Sequence, residues 1–148
     1  MKAVGFRAAT SAFLAVAMLS MVAAGCATSP AAPTKGAPYS QNDLVVGAGV
    51  AAVKGNTVTV NYTGWLYDST KPEQKGLVID TSLGRTPFSF TLGAGQVIAG
   101  WDLGIPNMKV GGMRRLVIPP SLAYGGTRNG PIPANTTLVF EIELLDVQ

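Results

Sequence analysis

A chain of 148 residues, 47% apolar with 18 Gly and 10 Pro, suits one turn-rich β or α+β domain and argues against a helical bundle. Its net charge of +3 falls to +1 once Lys2 and Arg7 are set aside with a leader, and it carries neither a basic run nor a basic helix face, which speaks against nucleic acid as a partner. With no His and Cys26 as the only cysteine, an internal disulfide and Ser–His or Cys–His nucleophilic chemistry are excluded, and a zinc site would need carboxylates alone.

Residues 1–25 read as an export signal. Lys2 and Arg7 are basic, Ala8 to Ala24 is apolar or small around Phe13–Leu19, and Ala23-Ala24-Gly25 closes it. The alternative is an uncleaved anchor, but the stretch is near the lower length limit for a span and rich in Ala. Val22-Ala23-Ala24-Gly25-Cys26 resembles the lipobox of bacterial lipoproteins, with Ala23 where Leu is commoner. That resemblance implies cleavage before Cys26 and lipidation of its thiol; a chance Cys beside an ordinary signal is the other reading. Two or three acyl chains would give stable anchoring. Residues 26–42 then form the lipidated Cys and a flexible Ala/Pro/Ser/Thr linker. The expected location is outside the cytoplasm, lipid-anchored to a bacterial membrane and facing the periplasm or the cell exterior. Ala27 in place of Asp leans toward the outer membrane in a Gram-negative host. The folded domain is expected over residues 43–148.

Within it, Leu44-Val45-Val46 reads as an edge strand running into Gly47 and Gly49, and Lys54-Gly55-Asn56 as a turn. Val58, Val60 and Tyr62 alternate with polar residues, a half-buried strand that Trp65-Leu66-Tyr67 extends. Asp68–Gly76 is a polar loop, Leu77–Thr81 is extended, and Pro87–Leu92 alternates until Gly93. Gln96–Gly104 is the one helix expected, with Val97, Ile98 and Trp101 on one face and Pro106 beyond its end. Val110-Gly111-Gly112 is a turn, Met113–Ile118 a strand ended by Pro119-Pro120, and Ser121–Gly126 room for one helical turn. In the last strand Leu138, Phe140, Ile142 and Leu144 face one way and Glu141 and Glu143 the other. Arg114, Arg115 and Lys109 read as a solvated rim. Several strands and one short helix imply α+β: an antiparallel sheet with the helix covering one face.

The ordered segments Val60-Asn61-Tyr62-Thr63-Gly64, Ile79-Asp80-Thr81-Ser82, Pro87-Phe88-Ser89-Phe90, Val97-Ile98-Ala99-Gly100-Trp101, Val110-Gly111-Gly112, Ala123-Tyr124-Gly125 and Thr137–Leu145 resemble the FKBP-type peptidyl-prolyl cis–trans isomerases, over about residues 43 to 148. The resemblance implies a curved antiparallel sheet of five or six strands wrapped around one short α-helix. It implies a proline pocket with Trp101 as floor and Tyr62, Ile79, Phe88, Val97, Ile98, Ile132 and Phe140 around it. Asp80 and Tyr124 are the implied catalytic polar groups, and the Ile98 N–H the implied holder of a substrate carbonyl. Partners implied are proline-containing polypeptides and macrolides such as rapamycin; no cofactor and no metal is implied. A monomer is the default for a single domain.

These residue types suit the reaction. An X–Pro bond isomerises over tens to hundreds of seconds behind a barrier of ~18–20 kcal/mol, and no covalent bond has to break. An apolar pocket penalises the polar planar amide more than the twisted one, in which resonance is lost.

On pattern alone the same residues have plainer readings. Trp101, Val97, Ile98 and Phe140 fit a core, one of Phe88 and Phe90 fits pure core, Asp80 fits a turn cap, and Tyr62 and Tyr124 fit packing aromatics. Ile79 stands where the family usually has Phe, so weaker activity and weaker macrolide binding are expected. The loop at Asp68–Gly76 is longer than in the minimal family domain. Pro131 replaces an aliphatic residue, and the loop Gly125–Ile132 is one residue short. Two rivals to an active isomerase remain: a proline-peptide-binding or chaperone module with little or no turnover, and a structural lipoprotein with an idle groove.

Overall fold

The computed structural model describes residues 36–148. The export signal, Cys26 and most of the linker lie outside the described residues. Six strands form one antiparallel sheet: β1 (Ser40–Val45), β2 (Thr57–Tyr67), β3 (Lys75–Thr81), β4 (Phe88–Thr91), β5 (Met113–Ile118) and β6 (Leu138–Val147). The order is β1-β5-β6-β2-β3, with β4 pairing the first half of β2. One helix, α1 (Ala99–Gly104), packs on the sheet. This is the expected α+β fold, a six-stranded antiparallel sheet around one short helix. Among the described residues no helix is long and apolar enough to cross a membrane.

The alternation in the sequence becomes the core. Val58, Val60, Leu116, Ile118, Leu138, Ile142 and Leu144 are fully buried where the helix covers the sheet, as a period of two with one covered face requires. The helix comes close because two of its residues lack a side chain. A Cβ on Gly100 would lie 2.5 Å from Ile118, and one on Gly104 2.5 Å from Leu116. Glycine lets the two backbones approach where any larger residue would hold them apart.

Several boundaries differ from expectation. The helix begins at Ala99 rather than Gln96, because Ile98 is extended (φ −58°, ψ 146°) and Gly93 and Gly95 before it have positive φ. Strand β1 begins at Ser40, four residues before the apolar run. All six of its residues are exposed, and it is extended because it pairs with β5, Ser40 opposite Val117. Strand β3 begins at Lys75, after a 3₁₀ turn at Pro72–Gln74, and the second such turn is Pro120–Leu122.

Arg114 is not on a solvated rim. It is 7% exposed, its Nη1 donates to the Gly104 (2.6 Å) and Pro106 carbonyls (3.2 Å), and its guanidinium pairs with Asp43. It thereby fastens the carboxyl end of α1, whose last carbonyls have no partner inside the helix, to β1 and β5. Arg115 is half-buried in an ion-pair cluster with Glu141 and Glu73, which Lys75 joins. Lys109 is exposed, as expected.

Candidate active site

Between α1 and the concave face of the sheet lies a cavity of about 650 Å³. The ten residues singled out as catalytic or substrate-binding all line it: Tyr62, Ile79, Asp80, Phe88, Val97, Ile98, Trp101, Tyr124, Ile132 and Phe140. They come from seven places in the chain, several with a local cause of their own.

Asp80 pairs with Gly64, but the next residue of β2, Trp65, pairs with Val78. Ile79 is therefore the extra residue of a β-bulge, a device that re-aims side chains. Here it brings both Ile79 and Asp80 to the cavity. Opposite Phe140 in the register stands Gly64, where a Cβ would lie 2.4 Å from the ring. The absent side chain makes room for the Phe140 wall. On β4, Phe88 sits at the rim, 40% exposed, while Phe90 is core and stacks on it at 5.5 Å. The strand face they share thus supplies one wall residue and one core residue. Ile132 is presented by a tight turn in which Asn129 and Ile132 exchange backbone hydrogen bonds of 3.0 and 2.9 Å.

Trp101, 5% exposed, forms the floor. Tyr62 and Phe140 meet it edge-on, with ring centroids at 5.1 and 5.3 Å. Phe88 stands edge-on at 6.4 Å. Edge-to-face contacts of this kind are the favourable arrangement of aromatic rings.

The polar groups are few. Tyr62 donates its hydroxyl to Asp80 Oδ2 at 2.6 Å, and the Thr81 N–H donates to Oδ1 at 2.8 Å. Arg85 lies 3.5 Å from the same carboxylate in an exposed pair. Burial, the Asp80 hydrogen bond and the Asp80 charge together push the Tyr62 phenol up to about 12, so it stays a donor throughout the physiological range. Several donors around the cavity have no partner among the described residues, among them the buried Trp101 Nε1–H on the floor. Neither the Tyr124 hydroxyl nor the Ile98 N–H bonds any described residue. A site of this kind can take an apolar ring against Trp101 and hold a carbonyl at its mouth. Among the described residues no group of His, Cys, Asp or Glu side chains could hold a metal.

Gly95, Gln96 and Asn129 also line the cavity and were not foreseen, and Pro131, noted only as a substitution, joins them. The first two adjoin Val97, the one clue the sequence offered. Nothing in the pattern marked Asn129.

Comparison with known proteins points one way. Residues 49–145 match the family described as FKBP-type peptidyl-prolyl cis-trans isomerase. The chain is 50% identical over 107 residues to an FK506-binding protein of Neisseria meningitidis serogroup A, covering 71% of this chain and 92% of that protein. It is 49% identical over 104 residues to FK506-binding protein 4 of Dictyostelium discoideum, 70% of this chain but 26% of that one. Among solved structures, FkpA from Escherichia coli superposes with a TM-score of 0.64 at 43% identity, over 74% of this chain and 48% of FkpA. AtFKBP13 also gives 0.64, at 39% identity over 74% of this chain and 93% of its own.

Proposed function

The chain belongs to the FKBP-type peptidyl-prolyl cis–trans isomerases, a family that works on proline-containing peptides without a cofactor, and on that premise we propose how this member works and where. The substrate proline ring lies on Trp101 between Tyr62, Phe88, Phe140, Val97 and Ile132. Leaving water raises the energy of the polar planar amide relative to the twisted one, which lowers the barrier. The Ile98 N–H holds a carbonyl of the bound chain. Tyr124 donates to the carbonyl of the rotating bond, an interaction that strengthens as resonance is lost. Asp80, with both oxygens engaged, holds the Tyr62 edge against Trp101 and sets a charge at the pocket mouth. Ile79 leaves one wall less aromatic, and macrolides such as rapamycin bind the same pocket.

The observation that carries this reading is the apolar box with the Tyr124 hydroxyl and the Ile98 N–H unbonded at its edge. The test is a protease-coupled isomerisation assay on the fragment Ala27 to Gln148, using proline tetrapeptides with and without rapamycin. Rate enhancement abolished by the drug is the expected result; folded protein without enhancement would defeat the mechanism.

The clients are extracytoplasmic proteins. In this reading residues 1–25 are removed as a lipoprotein signal, Cys26 carries the lipid, the linker up to Pro38 is the tether, and the domain, whose first strand starts at Ser40 rather than at residue 43, works as a monomer. The support is the segment Val22-Ala23-Ala24-Gly25-Cys26 and the lone cysteine. Labelling of the full chain with a radioactive fatty acid in a bacterial host, lost on Cys26→Ser together with membrane recovery, is expected. Unlabelled wild-type protein in the soluble fraction would refute the anchor.

A further inference from the structure

One wall of the pocket is held by little of its own backbone. Gly95, Gln96, Val97 and Ile98 line the cavity yet lie in neither strand nor helix. Among the N–H groups of residues 93–98, only that of Ala94 donates to a backbone carbonyl, Thr91, at 3.4 Å. Gly93 and Gly95 stand at φ of 79° and 71°. Glycine adopts that conformation at no steric cost and leaves it as easily. The hold comes from side chains. Asp102, on the first turn of α1, accepts the Gly93 N–H at Oδ1 (2.8 Å) and the Gly95 N–H at Oδ2 (3.1 Å). Gln96 Oε1 accepts from the Thr91 N–H at 2.8 Å.

We propose that Asp102 is a positioning residue for isomerisation: its carboxylate bridges the Gly93 and Gly95 amides and so fixes the wall that carries Val97 and the Ile98 N–H relative to the Trp101 floor. Asp102 follows Trp101 directly, so a single helical turn sets both floor and wall. A carboxylate suits the task because it is acceptor-only, with an oxygen for each amide, and charged acceptors make the stronger bonds. Asn offers one acceptor and turns an NH₂ toward the other donor; Ala offers none. The inference rests on the cavity being the substrate pocket.

Without the bridge the wall samples other conformations, and apparent affinity falls by the fraction still competent. Bound substrate reorders it, so turnover suffers less than binding. The experiment compares the wild-type protein with Asp102→Ala and Asp102→Asn by isomerisation kinetics, rapamycin titration and amide hydrogen exchange. Expected for Ala is a rise of about tenfold or more in KM and in the rapamycin Kd, with kcat within about threefold, and a smaller rise for Asn. The Gly93 and Gly95 amides should exchange faster while those of the core strands do not. A part that was only structural would lower the melting temperature and leave KM and Kd alone. A folded Ala variant with both constants within twofold of wild type would overturn the proposal. If the Ala variant fails to fold, the Asn variant decides: weaker rapamycin binding with faster Gly95 exchange supports it, and unchanged exchange overturns it. An inactive wild-type protein would instead sink the pocket reading, and the exchange comparison would still judge the bridge.

Discussion

Replacing Gly64 by Ala should damage the pocket from behind. The new Cβ would lie 2.4, 2.8 and 3.1 Å from Cε1, Cδ1 and Cζ of the Phe140 ring. Carbon atoms rest at about 3.5–4.0 Å, so the ring must retreat by roughly 1–1.5 Å. Gly64 is not among the glycines with positive φ, so the backbone accepts Ala and the cost is steric alone. Phe140 is 5% exposed, set edge-on to Trp101 and tilted on Tyr62. The open side of this packing is the cavity, and the ring moves into it. Overpacking of this kind costs about 1–3 kcal/mol, a fall of about 4–15 °C in melting temperature for a domain of this size. Misplacing one wall by this amount should lower kcat/KM by about tenfold or more, equivalent to about 1.4 kcal/mol of transition-state stabilisation. The assay is protease-coupled isomerisation of proline tetrapeptides beside thermal melts of the same samples. Adding Phe140→Leu should return part of the stability while activity stays low, since the clash goes but the wall does not come back. A Gly64→Ala protein that melts within 2 °C of wild type (roughly half a kcal/mol) and keeps its kcat/KM within twofold would refute the reasoning.

Arg114→Ala should cost about 3 kcal/mol in urea unfolding, because it leaves the Gly104 and Pro106 carbonyls without their donor. Asp43→Asn should cost less, about 1–2 kcal/mol, since the amide oxygen still accepts from the buried guanidinium while its charge goes unmatched; equal losses would contradict this account. Tyr62 has a folded pKa of about 12 against an ordinary 10.0. Its contribution to stability is therefore fully present below pH 10 and is lost as pH rises through 12. Urea melts should show Tyr62→Phe losing less stability than wild type between those values, and parallel losses would exclude the effect. Tyr124→Phe should lower kcat about tenfold and move KM less than twofold, because its donor acts chiefly on the twisted amide; a change in KM alone would make it a binding residue.

Much of this protein follows from local pattern. Strict alternation at Leu138, Phe140, Ile142 and Leu144 determines one face of β6, because a period of two leaves no other way to bury four large side chains. Pro119-Pro120 ends β5 where neither proline can donate to a ladder. Trp101 and the aromatics of β2, β4 and β6 could be named as one pocket because they fall within ordered motifs of a known family. What pattern could not supply depends on partners far along the chain. Ser40–Val45 carries no buried residue, and only β5 makes it a strand. Arg114 reads as a surface charge until Asp43, 71 residues away, and the helix carbonyls enclose it. The pattern does not fix the start of α1, because Val97, Ile98 and Trp101 fit a helical face equally well whether the first two belong to the helix or to a loop. The Asp102 bridge decides for the loop. The bulge at Ile79 aims two neighbouring residues into one cavity, although strict alternation would send them to opposite faces. Local propensity sets which residues seek the interior; the long-range hydrogen bonds and ion pairs of the closed fold set which of them meet.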